Sequence, residues 1–369
     1  MSDNSLDNID IIDGESSCKA QKRDIASLNL SEMKSLMKEL GFPTFRASQI
    51  YGWIHKDLVS SYDEMTNIPK KMREDLSEKY PLPGLTEVDR RDSTDGYTSK
   101  FVFKLADGYV IESVLMKYHH GNSVCISSQV GCRMGCRFCA STLLGLTRNL
   151  TASEMLAQIY DIQRKSGERV SNVVVMGTGE PLDNFDELVR FIELLTDENG
   201  LNISQRNITV STCGIVPNIY KLADLKLAIT LAISLHAPTD EERRKIMPVA
   251  YKYSIKEVMD AIDYYFEKTG RRISFEYSLI AGENDAPERA EALAKLLKGK
   301  NCHVNLIPVN PIKERDYRHT DREGVERFKR VLESRGITAT VRREMGADID
   351  AACGQLRKEY IDKQKGGAD

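Results

Sequence analysis

Three cysteines stand close together in the stretch QVGCRMGCRFCAS, residues 129–141: Cys132, Cys136 and Cys139. Thiols crowded in this way are typical of a metal site. A structural zinc site takes four protein ligands, and no second cysteine pair lies at a suitable spacing. Three thiolates on a four-iron, four-sulfur cluster leave one iron open to a substrate or cofactor. The spacing therefore predicts a cluster with one reactive corner, and zinc or unrelated free thiols are the alternatives.

The bulk composition indicates a cytoplasmic protein without a membrane partner. The chain has 369 residues, of which 41% are hydrophobic and 29% charged. Its longest apolar run, LAITLAISL at 227–235, is too short to span a bilayer. The N-terminus carries acids and no base up to Glu15, unlike a signal peptide, and residues 1–28 are expected to form an acidic, disordered tail. In a reducing cytoplasm, eight cysteines favour metal or thiol chemistry over disulfides.

The charge pattern permits a nucleic-acid partner. The net charge is −3, but the acidic tail accounts for more than this, so the remainder of the chain is slightly positive. Basic clusters such as KKMR (70–73) and RRK (243–245) recur along it. Single clusters of this kind are usually solvated helix or loop ends, so they allow a basic RNA-binding face without establishing one.

Two segments precede the main fold. Residues 29–84 have the apolar spacing of a small helical domain, with Ser31 predicted as the first N-cap and Gly41 at the end of that helix. This domain is expected either to bind RNA backbone through KKMR or to serve only as a packing appendage. Residues 85–120 contain two alternating stretches around ADG, which predict a β-hairpin linker.

Residues 121–345 alternate continuous apolar strands with amphipathic helices, which predicts an α/β fold with a parallel sheet covered by helices. Six strand–helix units are too few for an eight-fold barrel, so we expect an open or partial barrel. Its active site should lie at the carboxyl ends of the strands. The cysteine loop and the turn GTGEP (177–181) both follow strands, and Gly177 and Gly179 permit close backbone approach.

Five motifs together resemble the radical SAM superfamily and, within it, the RlmN/Cfr family of adenine RNA methyltransferases. The motifs are CISSQVGCRMGCRFCAS, GTGEPLDNFD, ISLHAPTDEERRKIMPV, HVNLIPVNP and ADIDAACGQL. The resemblance extends from about residue 30 to 357. It implies a partial (β/α)6 radical SAM barrel and a [4Fe-4S] cluster on Cys132, Cys136 and Cys139, with S-adenosylmethionine (SAM) on the open iron. The SAM contacts that it implies are Gly179, Glu180, Ser211, Ser234, Leu235, His236 and Asn310.

The resemblance also implies a mechanism that uses two SAM molecules per methylation. Cys353, in the C-terminal loop and tail (346–369), corresponds to a methyl carrier that later forms a covalent adduct with RNA. Cys125 corresponds to the cysteine that resolves the adduct, and Glu112 to the group that accepts the adenine proton. Without the resemblance, Cys353 would be interpreted as an ordinary loop thiol and Cys125 as a small buried hydrophobic residue. Glu112 would be interpreted as a strand residue that faces solvent.

The substrates implied by the resemblance are adenine 2503 of 23S rRNA and adenine 37 of tRNA, methylated at C2. An external electron donor such as flavodoxin and a monomeric enzyme are also expected. A Cfr-like C8 methyltransferase is the alternative within the family, and the proline of GTGEPL favours C2. The alternative from another class is a non-catalytic iron–sulfur protein that binds RNA or senses redox state.

Overall fold

The computed structural model of the protein describes residues 24–310, 316–342, 349 and 360–361. Its α-helices are α1 (Leu30–Glu39), α2 (Arg46–His55), α3 (Lys70–Lys79), α4 (Ala152–Ser166), α5 (Phe185–Thr196), α6 (Val216–Asp224), α7 (Asp240–Ile246), α8 (Ile255–Thr269), α9 (Pro287–Leu297) and α10 (Arg322–Ser334). None of these helices is long and apolar enough to cross a bilayer. Cys353 and most of the N-terminal tail lie outside the described residues.

The strands are β1 (Thr86–Asp92), β2 (Thr98–Lys104), β3 (Val110–Tyr118), β4 (Gly121–Cys125), β5 (Gln129–Gly131), β6 (Leu146–Asn149), β7 (Val170–Val175), β8 (Ile208–Thr212), β9 (Thr230–Ser234), β10 (Ile273–Leu279), β11 (Cys302–Pro308) and β12 (Ala339–Val341). All except β5 and β6 form one sheet, in the order β1-β2-β3-β4-β7-β8-β9-β10-β11-β12. The strands from β4 onward in that order are parallel. This open parallel sheet confirms the predicted partial barrel.

The two faces of the parallel sheet differ in character. Along β8, Ile208 and Val210 are buried, whereas Thr209 and Ser211 are half-buried. Successive side chains point to opposite faces of a strand. The apolar set joins the main core with the helices, and the polar set faces the inside of the partial barrel. The inner face is therefore where polar chemistry can be placed.

The predicted hairpin is β2 and β3, and the structure adds a third strand, β1, at its outer edge. Five of the seven residues of β1, TEVDRRD, are charged, so its sequence carries no apolar alternation. The three strands continue the main sheet because β3 pairs antiparallel with β4, where Val114 lies opposite Cys125. We call β1, β2 and β3 the meander. Its inner face is continuous with that of the barrel.

Helices α1–α3 pack against the outside of the barrel. The predicted N-cap, Ser31, is wrong: Asn29 caps α1, because its side chain accepts from the Glu32 amide and Glu32 accepts from the Asn29 amide. This reciprocal pattern is a capping box. The buried His55 joins the helical segment to α4 through a 2.8 Å contact between its Nδ1 and the Tyr160 hydroxyl.

A two-stranded ribbon, which sequence reasoning missed, closes the cysteine loop at its base. Strands β5 and β6 flank this loop and pair antiparallel. The Cys132 amide donates to the Gly145 carbonyl at 2.9 Å. A β-carbon at Gly131, where φ is +84°, would collide with that same carbonyl. The ribbon thus holds the two ends of the cysteine loop together and fixes the position of the loop in the fold.

Candidate active site

A cavity of about 240 Å³ opens at the carboxyl ends of the parallel strands, beside the cysteine loop. All three predicted cluster ligands, Cys132, Cys136 and Cys139, line it. It is also lined by these predicted SAM contacts: Gly179, Glu180, Ser211, Ser234, His236 and Asn310. Leu235 is different, since its side chain is fully buried beside the cavity and its amide donates to the Glu276 carbonyl at 3.1 Å. The structure therefore brings residues from four of the five motifs to one place, together with Ser211, whereas ADIDAACGQL lies almost entirely outside the described residues.

The cysteine side chains fit an iron–sulfur cluster. Burial raises the pKa of the Cys132 and Cys136 thiols, and the neighbouring Cys139 raises both further. Thiolates at such a site need a bound cation to stabilise their charge. Across the described ranges, no set of three His, Cys, Asp or Glu side chains has the spacing for a single metal ion. Three thiols that border one cavity fit a cluster held by three protein ligands, whereas a structural zinc site takes four.

The glycines of the GTGEP turn are needed for protein packing. A β-carbon at Gly177 would lie 2.6 Å from the Ile126 carbonyl oxygen. One at Gly179, where φ is +116°, would lie 2.6 Å from the Ser128 hydroxyl. The Ser128 amide also donates to the Thr178 carbonyl at 2.9 Å. The turn is thus pressed against the segment that leads into the cysteine loop, which sets the position of both relative to the cavity.

Glu180 is the charged residue of this turn; it is 4% exposed and accepts hydrogen bonds from backbone amides. Its Oε1 accepts from the Leu182 amide at 3.0 Å, and its Oε2 accepts from the Cys213 amide at 2.7 Å. Burial raises the pKa of Glu180, while these hydrogen bonds act in the opposite direction. A carboxylate has about four lone-pair sites. The two amides, together with hydrogen bonds from the Thr212 and Cys213 side chains, fix the carboxylate at the edge of the cavity, where its negative charge faces any cationic ligand.

His236 presents a neutral imidazole to the same cavity. It adopts a left-handed backbone conformation with φ of +57°, and its Nδ1 accepts from the Ser278 amide at 2.9 Å. Burial lowers the pKa of His236 to about 3, and the charge of Arg243 lowers it further. A neutral ring that accepts at Nδ1 carries its proton on Nε2. Phe138 packs edge-on against this ring at 4.7 Å between centroids.

Cys125 and Glu112 lie on the inner face but do not line the cavity. Cys125 packs with Val114 and Met116, and Met176 borders both this group and the cavity. Because Val114 is opposite Cys125, Glu112 shares their face. Its side chain is 4% exposed, so the prediction of a solvent-facing residue without the family does not hold. The structure thus places Cys125 in a group that borders the cavity, and Glu112 on the same face of the sheet.

Glu112 forms an ion pair with a lysine that sequence reasoning missed. Lys100 Nζ lies 3.5 Å from Glu112 Oε2, and the lysine side chain is fully buried. In the sequence YTSKFVFKL this lysine falls on the polar side of an alternating strand, which usually faces solvent. Here that side is the inner face, where Tyr360 and Ile361 pack against the neighbouring Val102 and Val110. No sequence signal distinguishes the two situations.

Sequence reasoning also missed Cys213 in the cavity lining and Arg243 behind it. Cys213, treated as a small hydrophobe, lines the cavity and supplies the amide that holds Glu180. Arg243 is fully buried, and its Nη2 donates to the Cys213 carbonyl at 2.5 Å. Arg243 lies within the motif ISLHAPTDEERRKIMPV, but a basic pair on a helix is more often solvated, so its burial could not be inferred.

Comparison with known proteins gives a consistent result. Residues 126–297 match the profile of the radical SAM superfamily, and residues 23–81 match that of the ribosomal RNA large subunit methyltransferase N-terminal domain. The chain is 61% identical over 343 residues to a probable dual-specificity RNA methyltransferase RlmN of Lachnoclostridium phytofermentans, covering 93% of this chain and 96% of that protein. A protein of the same name from Lachnospira eligens is 62% identical over 347 residues, covering 93% and 99%.

A solved structure is similar over almost the same length. The crystal structure of a radical SAM methyltransferase from Sphaerobacter thermophilus matches with a TM-score of 0.87 and 45% identity. The match covers 90% of this chain and 98% of that one. Similarity at this level includes the helical segment, the meander and the barrel together.

Proposed function

The chain belongs to the RlmN family of dual-specificity radical SAM RNA methyltransferases, and from this premise we propose that it methylates C2 of adenine in RNA. We propose adenine 2503 of 23S rRNA and adenine 37 of tRNA as the targets. We base this on one observation: Glu112 and Cys125 share an inner face that leads to the cavity lined by the three cysteines. A flavodoxin-type electron donor, a monomeric state and a cytoplasmic location complete the proposal.

Radical SAM enzymes use a [4Fe-4S] cluster and SAM. When bound, these cofactors supply a methyl group and, from a second SAM, a 5′-deoxyadenosyl radical. We assign the cluster to Cys132, Cys136 and Cys139. Glu180 would accept from the ammonium group of SAM, since its carboxylate is fixed by two amides and borders the cavity. The Nε2 proton of His236 would donate to the cofactor from the neighbouring strand end.

Residues of the chain carry the methyl group to the base. C2 of adenine bears hydrogen on an electron-poor carbon, so it is no nucleophile for direct displacement of a methyl group from SAM. Cys353 would carry the methyl group on its sulfur. After a hydrogen atom is removed from that group, its carbon would bond to C2, and Glu112 would take the C2 proton as one electron leaves the adduct. The Cys125 thiolate would then attack the Cys353 sulfur and break its bond to the methylene carbon, which takes up a proton to become the methyl group of the released RNA, while the two cysteines form a disulfide.

The target adenine must leave its RNA stack to reach this site, as in other enzymes that modify bases. We propose that the helical domain at 29–84 holds the RNA backbone beside the opening of the cavity. Lys70 and Lys71 are exposed at the start of α3, where they are available to phosphate oxygens. Replacing both by alanine should weaken RNA binding and lower its dependence on salt concentration. Unchanged affinity would leave this domain as a packing element.

Cys353→Ala tests the methyl carrier. The variant should retain its full iron content and still cleave SAM to 5′-deoxyadenosine, but no methyladenosine should appear in RNA digests. Mass spectrometry of nucleosides measures this directly. Full methylation by the variant would end the carrier proposal. In wild-type digests, 8-methyladenosine without 2-methyladenosine would instead indicate the C8 alternative.

Cys125→Ala tests the resolving cysteine. Since only release is blocked, a covalent protein–RNA species should accumulate and be visible on a denaturing gel. Cys302→Ala is a suitable control, because Cys302 lies on β11 away from the cavity lining and should give no such species. No trapped species in Cys125→Ala would remove its assigned role. Release of neither 5′-deoxyadenosine nor methylated RNA by wild-type protein with an intact cluster would favour a redox sensor.

A further inference from the structure

Lys100 is a fully buried cation on the inner face of the meander. It lies opposite Val114, which in turn lies opposite Cys125, so these three residues form one row across β2, β3 and β4. Glu112 is two positions before Val114 on β3, which places it diagonal to Lys100 and nearer the carboxyl end of β4. Diagonal neighbours are within reach of long side chains. The ammonium group of Lys100 therefore extends from the row of Cys125 toward the edge of the sheet where the cavity opens.

The surroundings of Glu112 fix both its backbone and its side chain. The Ser127 hydroxyl donates to the Glu112 carbonyl at 2.7 Å, and the Thr178 amide of the GTGEP turn donates to the same hydroxyl at 3.1 Å. On the side-chain end, Lys100 Nζ lies 3.5 Å from Glu112 Oε2. The proposed proton acceptor is thus tied through its backbone to the cofactor turn and through its carboxylate to the lysine.

Stability alone does not explain the Lys100–Glu112 pair. Replacing a buried ion pair by well-packed apolar side chains is often neutral or stabilising, and the neighbours Val102 and Val114 on the same face are apolar and buried. A proton acceptor, however, must carry its negative charge before it reacts. Burial disfavours a charged carboxylate, whereas a cation beside it favours the charge. Lys100 supplies this cation, and because it does not line the cavity, its effect on the base passes through Glu112.

We infer that Lys100 is a positioning residue, which keeps Glu112 charged and oriented for removal of the C2 proton. In that step the C2–H bond breaks, an O–H bond forms on Glu112, and the electron pair of the broken bond stays on the base. Lys100 keeps all its protons. The inference rests on the proposed role of Glu112 in C2 methylation, and it does not depend on which RNA is modified.

The test measures the hydrogen isotope effect on methylation. Transcripts of tRNA and 23S rRNA, made with hydrogen or deuterium at C2 of adenosine, react in single turnovers with anaerobic enzyme that retains its cluster. In Lys100→Met, methylation should slow about 10- to 100-fold. The isotope effect should also be larger than in wild type, because removal of the proton becomes the slow step. A smaller fraction of folded enzyme would lower the yield of methylated RNA but leave the isotope effect unchanged.

Lys104→Met is the matched control, because Lys104 is on the same face of the same strand but exposed, and it should behave as wild type. In a Glu112→Gln background, Lys100→Met should slow the residual methylation less than about threefold, since the group through which the lysine acts has changed. Iron content and circular dichroism show whether each variant is folded and loaded. If Lys100→Met is not, Lys100→Gln, which keeps a donor without the charge, carries the same comparison.

Three results would overturn the inference. They are equal rates in Lys100→Met and Lys104→Met, a slower rate without a larger isotope effect, and a loss that persists in full without the Glu112 carboxylate. Each would leave Lys100 as a residue of the fold only. Failure of the proposed function would look different: wild-type enzyme would cleave SAM without methylating C2 of adenine in either transcript.

Discussion

Two acidic side chains of this enzyme are equally buried but are stabilised in different ways. Glu180 at the cofactor turn and Glu112 on the meander are each 4% exposed. Glu180 accepts from two backbone amides, whereas Glu112 lies beside the ammonium group of Lys100. The positions of backbone amides are set by the path of the chain, and most side-chain substitutions leave these donors in place. A lysine partner depends on one side chain, so the meander should be the more vulnerable of the two regions.

The difference suits what each region must do. The cavity has to admit a cationic cofactor, and neutral donors hold Glu180 without cancelling its negative charge. The meander is closed by packing, with Tyr360 and Ile361 against its apolar end. There a fully buried ion pair keeps a carboxylate in place where water cannot solvate it. Removing one partner of such a pair leaves an uncompensated buried charge.

The largest expected effect follows from Lys100→Met. This change keeps the volume of the side chain but removes the cation from Glu112, and it should lower the free energy of unfolding by about 3–5 kcal/mol. Urea denaturation followed by circular dichroism measures the loss. Adding Glu112→Gln to this variant should recover most of it, since the buried charge is then gone. An unfolding midpoint equal to wild type in Lys100→Met would show that the pair does not stabilise the meander.

On the cofactor side, backbone geometry is the sensitive element. Gly179→Ala combines a φ of +116° with a β-carbon 2.6 Å from the Ser128 hydroxyl. Strain and overpacking together should cost about 2–4 kcal/mol. Gly282→Ala is the control, because φ is +78° there but nothing lies within 4 Å of the added carbon. It should cost only about 1 kcal/mol. Equal losses in the two variants would mean that contact with the cysteine segment is unimportant.

The two regions also differ in how far the sequence could predict them. At the cavity, Cys132, Glu180 and His236 each follow a strand, and parallel strands bring their carboxyl ends together. Spacing, strand order and the family motifs therefore predicted that these residues border one cavity, whereas Cys213 and Glu276 in its lining were not predicted. The roles of the glycines were only partly predicted, because their closest neighbours belong to the protein and not to a cofactor.

On the meander, sequence reasoning predicted the strands but not what their polar face meets. Along β2, Lys100 points to one face of the strand, and Phe101 and Phe103 point to the other. The sequence has this alternation whether the polar face meets water or the interior of a barrel. Glu112 was selected only through the family motif. The addition of β1 to the sheet and the burial of the Lys100–Glu112 pair depend on contacts between separate segments, for which a single sequence has no local signal.

The smallest effect concerns two neutral histidines, one at the cavity and one where the helical domain packs against the barrel. Burial lowers the pKa of both His236, at the cavity, and His55, where α2 meets α4, to about 3. In the unfolded chain a histidine takes up its proton near pH 6.5, so below that pH the unfolded state binds more protons than the folded state. The free energy of unfolding should therefore fall as pH drops, by about 1 kcal/mol for each histidine between pH 7.5 and 5.5.

Substitution by glutamine separates the two contributions. His55→Gln and His236→Gln should each remove about 1 kcal/mol of the loss in unfolding free energy between pH 7.5 and 5.5, measured by urea denaturation at both values. Glu180 and Glu276 act in the opposite direction, because burial raises the pKa of each and protonation then favours the folded state. Comparing each variant with wild type cancels these carboxyl groups. His55 does not line the cavity. Added SAM should therefore alter the pH dependence contributed by His236 and leave that of His55 unchanged. A pH dependence identical in wild type and both variants would contradict the neutral state of the two rings.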